Sequence, residues 1–181
     1  MSLRETLIDG VGIRVLEPVN TQDKRGQTIE WHKGWQCMQI TKCFYGKGSI
    51  AGNHYHRGND PSKAPEHFSF NYGELDLVVC DGVHFKERHF IVPWNEPHTP
   101  RYEVTIAPGI LHAMLFHTAG SFDEWRHTAY DREKSDTYGP ETFEQYLYEH
   151  NRPIAYNALG DFTALCVQFP ALVGNERGVK T

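Results

Sequence analysis

Gly48-Ser49-Ile50-Ala51-Gly52-Asn53-His54-Tyr55-His56 sets two imidazoles two residues apart, and nine residues later Glu66 opens a run that closes six residues on at Gly73. In an extended strand, side chains two apart share a face, so His54 and His56 are predicted to point the same way. The same alternation turns Gly52 inward with them and sends Asn53 and Tyr55 outward. If Glu66 faces inward, Phe68 and Phe70 follow it. A later stretch, Ala107-Pro108-Gly109-Ile110-Leu111-His112, delivers a third imidazole, with Met114 and Phe116 on its face. Three imidazoles and one carboxylate are a first shell suited to a divalent transition metal, whether Zn, Fe, Ni or Mn. The chain has 11 histidines, so the order and spacing of these four carry the reading, and the number of histidines does not.

The residues around these motifs read as β-structure. Val11 to Val19 is a first strand, and Asn20 to Gly26 a polar hairpin loop. Trp35, Met38, Ile40 and Phe44 recur among polar residues up to a turn at Gly46-Lys47-Gly48. His67 to Tyr72 and Leu75 to Cys80 flank a corner at Gly73, Asp81-Gly82 signals a hairpin, and Phe90 to Val92 and Tyr102 to Ile106 are further strands. Many short strands between glycine corners indicate a sandwich or barrel. Arg57 to Pro65, with Gly58, Pro61 and Pro65, is predicted to be a loop at the barrel mouth, where Arg57 and Lys63 are placed to meet an anionic substrate. Val92 to Arg101 is a second proline-punctuated loop, offering Trp94, His98 and Arg101 to a rim. Beyond Gly120, Pro140 to His150 is predicted to be a helix, with proline at its start and Phe143, Tyr146, Leu147 and His150 at helical spacing. Phe162 to Phe169 reads as a returning strand, and the tail from Gly174 is polar.

At 181 residues the chain fits one domain, with a barrel core at about 34–120 and a C-terminal extension at 121–181 holding one helix and the returning strand. A net charge of −5 gives no electrostatic footprint for nucleic acid or an anionic membrane. The start Met1-Ser2-Leu3-Arg4-Glu5-Thr6 lacks an apolar signal core, no segment reaches the length of a membrane span, and a cytoplasmic location is expected. Cys37, Cys43, Cys80 and Cys166 show no Cys-x-x-Cys spacing and are expected to be reduced.

On Gly48, His54-x-His56, Glu66, Gly73 and Ala107-Pro108-Gly109-x-x-His112, the chain resembles the cupin superfamily. The resemblance implies an all-β double-stranded β-helix, the cupin jelly-roll barrel, with a short C-terminal helix. It also implies one metal held by His54, His56, Glu66 and His112. The chain departs from the pattern in the nine-residue gap before Glu66 and at Phe116, where the second motif closes with asparagine. His54-Tyr55-His56 and Ile106 to Phe116 further resemble the sugar-nucleotide 3,5-epimerase branch and small polysaccharide-biosynthesis cupins. In that branch no metal is needed: a histidine matching His54 is the base, and a tyrosine supplies the acid, for which Tyr102 and Tyr130 are candidates here. His56 stands where the branch has glutamine, which favours a metallated cupin.

The expected function is therefore a metal-binding cupin that isomerises or epimerises a sugar or sugar nucleotide by proton transfer. Tyr55 and His117 are catalytic candidates, and Arg57 and Trp94 candidates for substrate binding. A non-haem iron dioxygenase and a non-catalytic carbohydrate-binding cupin remain alternatives. The expected partners are a small-molecule carbohydrate and a second copy of the chain, as a homodimer, since short barrels often cover exposed strand edges by pairing.

Overall fold

A computed structural model describes residues 4–16, 37–94, 96, 99–129, 131–134 and 136–174. The hairpin loop at 20–26, Trp35, His98, Tyr130 and the tail after Gly174 lie outside the described residues. Among the described residues ten strands follow one another: β1 (Arg4–Ile8), β2 (Val11–Leu16), β3 (Gln39–Tyr45), β4 (Ile50–His56), β5 (Glu66–Cys80), β6 (Phe85–Val92), β7 (Arg101–Ile106), β8 (Leu111–Phe116), β9 (Gly120–Arg126) and β10 (Thr137–Tyr138). Two helices close the described chain, α1 (Phe143–Glu149) and α2 (Tyr156–Gly174). All pairings are antiparallel. The fold is the all-β jelly-roll expected from the sequence.

β5 makes the barrel possible. Residues 66–72 pair with β7 and β9, whereas residues 73–80 pair with β6 and β8, so one strand serves two sheets. Phe68 and Phe70 face the interior before the crossing, and Leu75, Leu77 and Val79 face it after, an odd step that inverts the alternation. Gly73 sits at the inversion with φ +119°, and a Cβ there would stand 2.8 Å from the Cα of Gly120. Gly73→Ala is expected to cost about 2–4 kcal/mol, from the positive φ and from the displaced β9. A lower urea midpoint at unchanged slope would report it.

Two apolar clusters follow from this geometry. The first fills the barrel between its sheets, with Phe68, Phe70, Leu75, Phe90, Val104, Met114, Phe116 and Phe122 at its centre. The second lies on the outer face of β4, β5 and β8, where Tyr55, Val78, Cys80, Leu111, Ala113 and Leu115 meet Phe143, Leu147, Phe162, Cys166 and Phe169 from the helices. Burial pushes the Cys166 thiol up to about 11. All four cysteines are free thiols.

Three expectations change. The barrel is not confined to 34–120, because β2 pairs with β7 and β9 bridges β3 and β5. The predicted returning strand at Phe162 to Phe169 is part of α2, so the C-terminal region holds two helices. Ala158, Phe162, Cys166 and Phe169 are buried at helical spacing, and this single stripe outweighs the local β-propensity. Finally, Ala51, not Gly52, faces the interior. A bulge at Gly52 and Asn53, with φ of +80° and +60°, shifts the register so that Ala51 pairs with Met114 while His54 pairs with His112. The predicted helix at 140–150 is found as a 3-10 turn at Pro140–Thr142 continued by α1. No helix among the described residues is long and apolar enough to cross a membrane.

Candidate metal centre in the barrel

The bulge in β4 turns His54 and His56 toward the barrel, where β8 brings His112 and the first residue of β5 brings Glu66. One ligand-type atom from each of these four residues lies within 4.8 Å of the others. His56 Nε2 is 3.0 Å from Glu66 Oε1, and His112 Nε2 is 2.9 Å from Glu66 Oε2. The ring centroids of His54 and His56 are 4.7 Å apart and those of His54 and His112 4.8 Å. Despite the nine-residue gap, Glu66 thus reaches both imidazoles. The gap folds as a loop with a short 3-10 turn, Pro61–Lys63, capped by the Asp60 carboxylate, which accepts from Ser62 N at 2.8 Å.

Hydrogen bonds on the far side of two rings set how they present themselves. His112 Nδ1 lies 3.0 Å from the Ile110 carbonyl oxygen, which only accepts, so Nδ1 carries a proton and Nε2 is the nitrogen turned to Glu66. His56 Nδ1 lies 3.2 Å from Asp136 Oδ1, while the other oxygen of Asp136 accepts from Gly58 N at 2.8 Å and Asn59 N at 2.7 Å. Carboxylate and carbonyl partners of this kind orient the imidazole ligands of metal sites. His54 Nε2 is buried and meets no hydrogen-bond partner among the described residues. Burial, helped by the charge of His112, pushes the His54 imidazole down to about 2, so its ring stays neutral at any working pH. A ring so reluctant to take a proton is a poor base and a ready ligand.

Lys63 and Glu124 adjoin the four. Lys63 Nζ is 2.9 Å from Glu66 Oε1, 3.5 Å from His56 Nε2 and 3.4 Å from Glu124 Oε1. Burial alone would lower the Lys63 ammonium, but the Glu66 and Glu124 carboxylates outweigh it and keep it charged. Burial likewise pushes the Glu66 carboxyl up, yet His112 and His56 hold it well below the usual carboxylate range. Arg126 donates to Glu124 at 2.8 Å and to Ser62 at 3.2 Å, tying this charged cluster to β9 and the loop.

The other residues singled out in the sequence fall elsewhere. Tyr55 faces outward as expected but is buried in the second cluster, its hydroxyl 3.2 Å from the Thr142 carbonyl oxygen. The Arg57 guanidinium lies over the Tyr138 ring at 4.4 Å and pairs with Glu149 at 3.5 Å. Trp94 is exposed and meets Tyr72 edge to face at 4.7 Å. His117 packs against Phe169 and contacts Asp76 beside the second cluster. None of these four shares the barrel interior with the imidazoles. Asp136 was not legible at all, since it lies 80 residues from His56 in a segment with no motif. Lys63 was read as a loop charge at the mouth, whereas it is buried against Glu66.

No family model matches the sequence, and no curated protein sequence matches it. Solved structures do match in fold. Over 89% of this chain and 99% of its own, the RmlC epimerase of Mycobacterium tuberculosis is similar with a TM-score of 0.58 at 14% identity. A 3,4-ketoisomerase from Helicobacter canadensis is similar over 75% and 97% (TM-score 0.56, 15% identity). NovW, a 4-keto-6-deoxy sugar epimerase of Streptomyces spheroides, is similar over 74% and 71% (TM-score 0.54, 16% identity). At these identities the likeness establishes the fold.

Proposed function

We propose that this chain is a metal-binding cupin acting on sugars or sugar nucleotides, an isomerase or epimerase that moves a proton on carbon beside a carbonyl. One divalent transition metal would be held by His54, His56, Glu66 and His112. The carrying observation is that His56 and His112 are turned by their Nδ1 partners to aim Nε2 at Glu66, beside the neutral His54, whose Nε2 is buried. A metal bound there supplies a Lewis acid for a carbonyl or enediol oxygen.

The chain's own residues supply the remainder. Glu124 is a second carboxylate within reach of Lys63, so Glu66 can serve an ion without leaving the ammonium unpaired. Asp136 is engaged by His56, Gly58 and Asn59, whereas Lys63 adjoins Glu66 and His56 with Glu124 beside it, and Lys63 and Glu124 are assigned the proton transfer. Phe68 packs beside His112, ring centroids 6.4 Å apart, and limits water there. A keto-sugar nucleotide is the substrate class that suits both this chemistry and the activities of the epimerases and ketoisomerase similar in fold. Exchange of substrate protons for deuterium tests the reading directly.

A second, metal-independent reading is favoured by one observation, the 2.9 Å contact of Lys63 with Glu66, which already places a cation on that carboxylate. Asp136→Asn separates the two readings. In the metallated protein it is expected to weaken metal affinity about 10–100-fold, because His56 loses its orienting partner; titration with Zn²⁺, Ni²⁺ and Mn²⁺ would measure it. A homodimer in the reducing cytoplasm remains part of the proposal, with sedimentation as its test.

A further inference from the structure

We propose a second metal site on the opposite face of the same sheet, formed by Asp76, His89 and His117 and suited to Zn²⁺. Asp76 and His89 are direct cross-strand partners on β5 and β6. His117 follows the last residue of β8, and its backbone N–H donates to the Glu74 carbonyl oxygen at 2.9 Å. Three adjacent strands of one sheet therefore fix the three side chains, and one ligand-type atom from each lies within 4.8 Å of the others.

The Asp76 carboxylate takes one ring on each oxygen: His89 Nδ1 stands 2.6 Å from Oδ1, and His117 Nε2 contacts Oδ2. Asp76 is buried, and among the described residues its ion-pair partners are these two rings, with no lysine or arginine. A buried carboxylate facing only two imidazoles lacks a full counter-charge, which a divalent cation supplies. The far nitrogen of His89, Nε2, lies 3.4 Å from Glu74 Oε1. With an ion bound, a proton on Nε2 toward Glu74 would leave the Nδ1 lone pair for the ion, the carboxylate–imidazole–metal order of zinc sites. Phe169 of α2 packs edge-on against His117, with centroids 5.1 Å apart, and holds that ring in place. Two imidazoles and a carboxylate are three protein ligands, leaving a fourth position of a tetrahedral zinc open. The His89 side chain is 45% exposed and that of His117 32%, so an ion has a path from solvent and water can fill that position.

The test is equilibrium dialysis of chelator-stripped protein against Zn²⁺, with the bound metal measured by elemental analysis. It is run on His54→Ala/His56→Ala, so that only the outer cluster is read, and independently of whether the barrel interior binds metal. The expected result is one equivalent of Zn²⁺ bound and a raised melting temperature, both lost when His89→Ala is added. If the double variant does not fold, wild type and His89→Ala are compared, and the single substitution should remove one equivalent. Stoichiometry unchanged by His89→Ala, or no zinc retained by a folded double variant, overturns the proposal.

Discussion

With His89→Ala carried in both proteins, His54→Ala/His56→Ala should fold and yet gain no stability from added transition metal, whereas the chain with its four barrel ligands intact gains about 4 kcal/mol at a free metal concentration a thousandfold above its Kd. The variant should fold because neither apolar cluster includes these rings. It should lose the linkage because it removes two of four donors, and the remaining pair, His112 and Glu66, lie 2.9 Å apart and can satisfy one another. Zinc bound at the outer cluster is excluded from this comparison by carrying His89→Ala in both proteins. Thermal unfolding with and without Zn²⁺, Ni²⁺ or Mn²⁺ reads the difference. An equal shift in both proteins would remove the two histidines from the proposed metal centre.

Phe162→Ala is expected to cost about 3–5 kcal/mol, the range for deleting a buried ring. Phe162 is fully buried in the cluster that joins α2 to the outer face of the sheet, where it meets Phe85 edge to face with centroids 6.5 Å apart. Val167, on the same helix, is 73% exposed, and Val167→Ala should stay within about 0.5 kcal/mol. Gln168 and Phe169 distinguish helix from strand in this segment. Strand alternation would bury Phe162, Ala164, Cys166 and Gln168 together, whereas the helix buries Phe162, Cys166 and Phe169 and leaves Gln168 in solvent. Chemical denaturation of Phe169→Ala and Gln168→Ala would report the pattern, and a large cost at Gln168 with little at Phe169 would contradict α2.

Where a short motif also fixes its neighbours, the sequence was a good guide. Gly73 marked a corner because only glycine fits that backbone, and the pleat then oriented Phe68, Phe70, Met114 and Phe116 correctly. The two histidines of β4 and His112 were legible through the same parity. The inward assignment of Gly52 failed because parity does not survive a bulge, and nothing in Gly-Asn announces which of the two residues is the extra one. Asp136 and Lys63 were missed for another reason. Their roles arise from long-range approach, Asp136 from a segment beside β10 and Lys63 from a turn folded back into the barrel, and no local period encodes either. Tyr55 and His117 were drawn to the site by sequence proximity to His56 and His112, while the alternation of β4 and the end of β8 carry them to the other face.

The most direct test of the proposed chemistry is proton exchange. Wild-type protein, loaded with metal, is incubated in D₂O with a dTDP-linked 4-keto-6-deoxy sugar and followed by ¹H NMR. The expected result is loss of the proton on a carbon beside the keto group, with appearance of an isomer or epimer, both abolished in His54→Ala/His56→Ala. A metal-loaded, folded protein that leaves every such proton in place across keto-sugar nucleotides would contradict it.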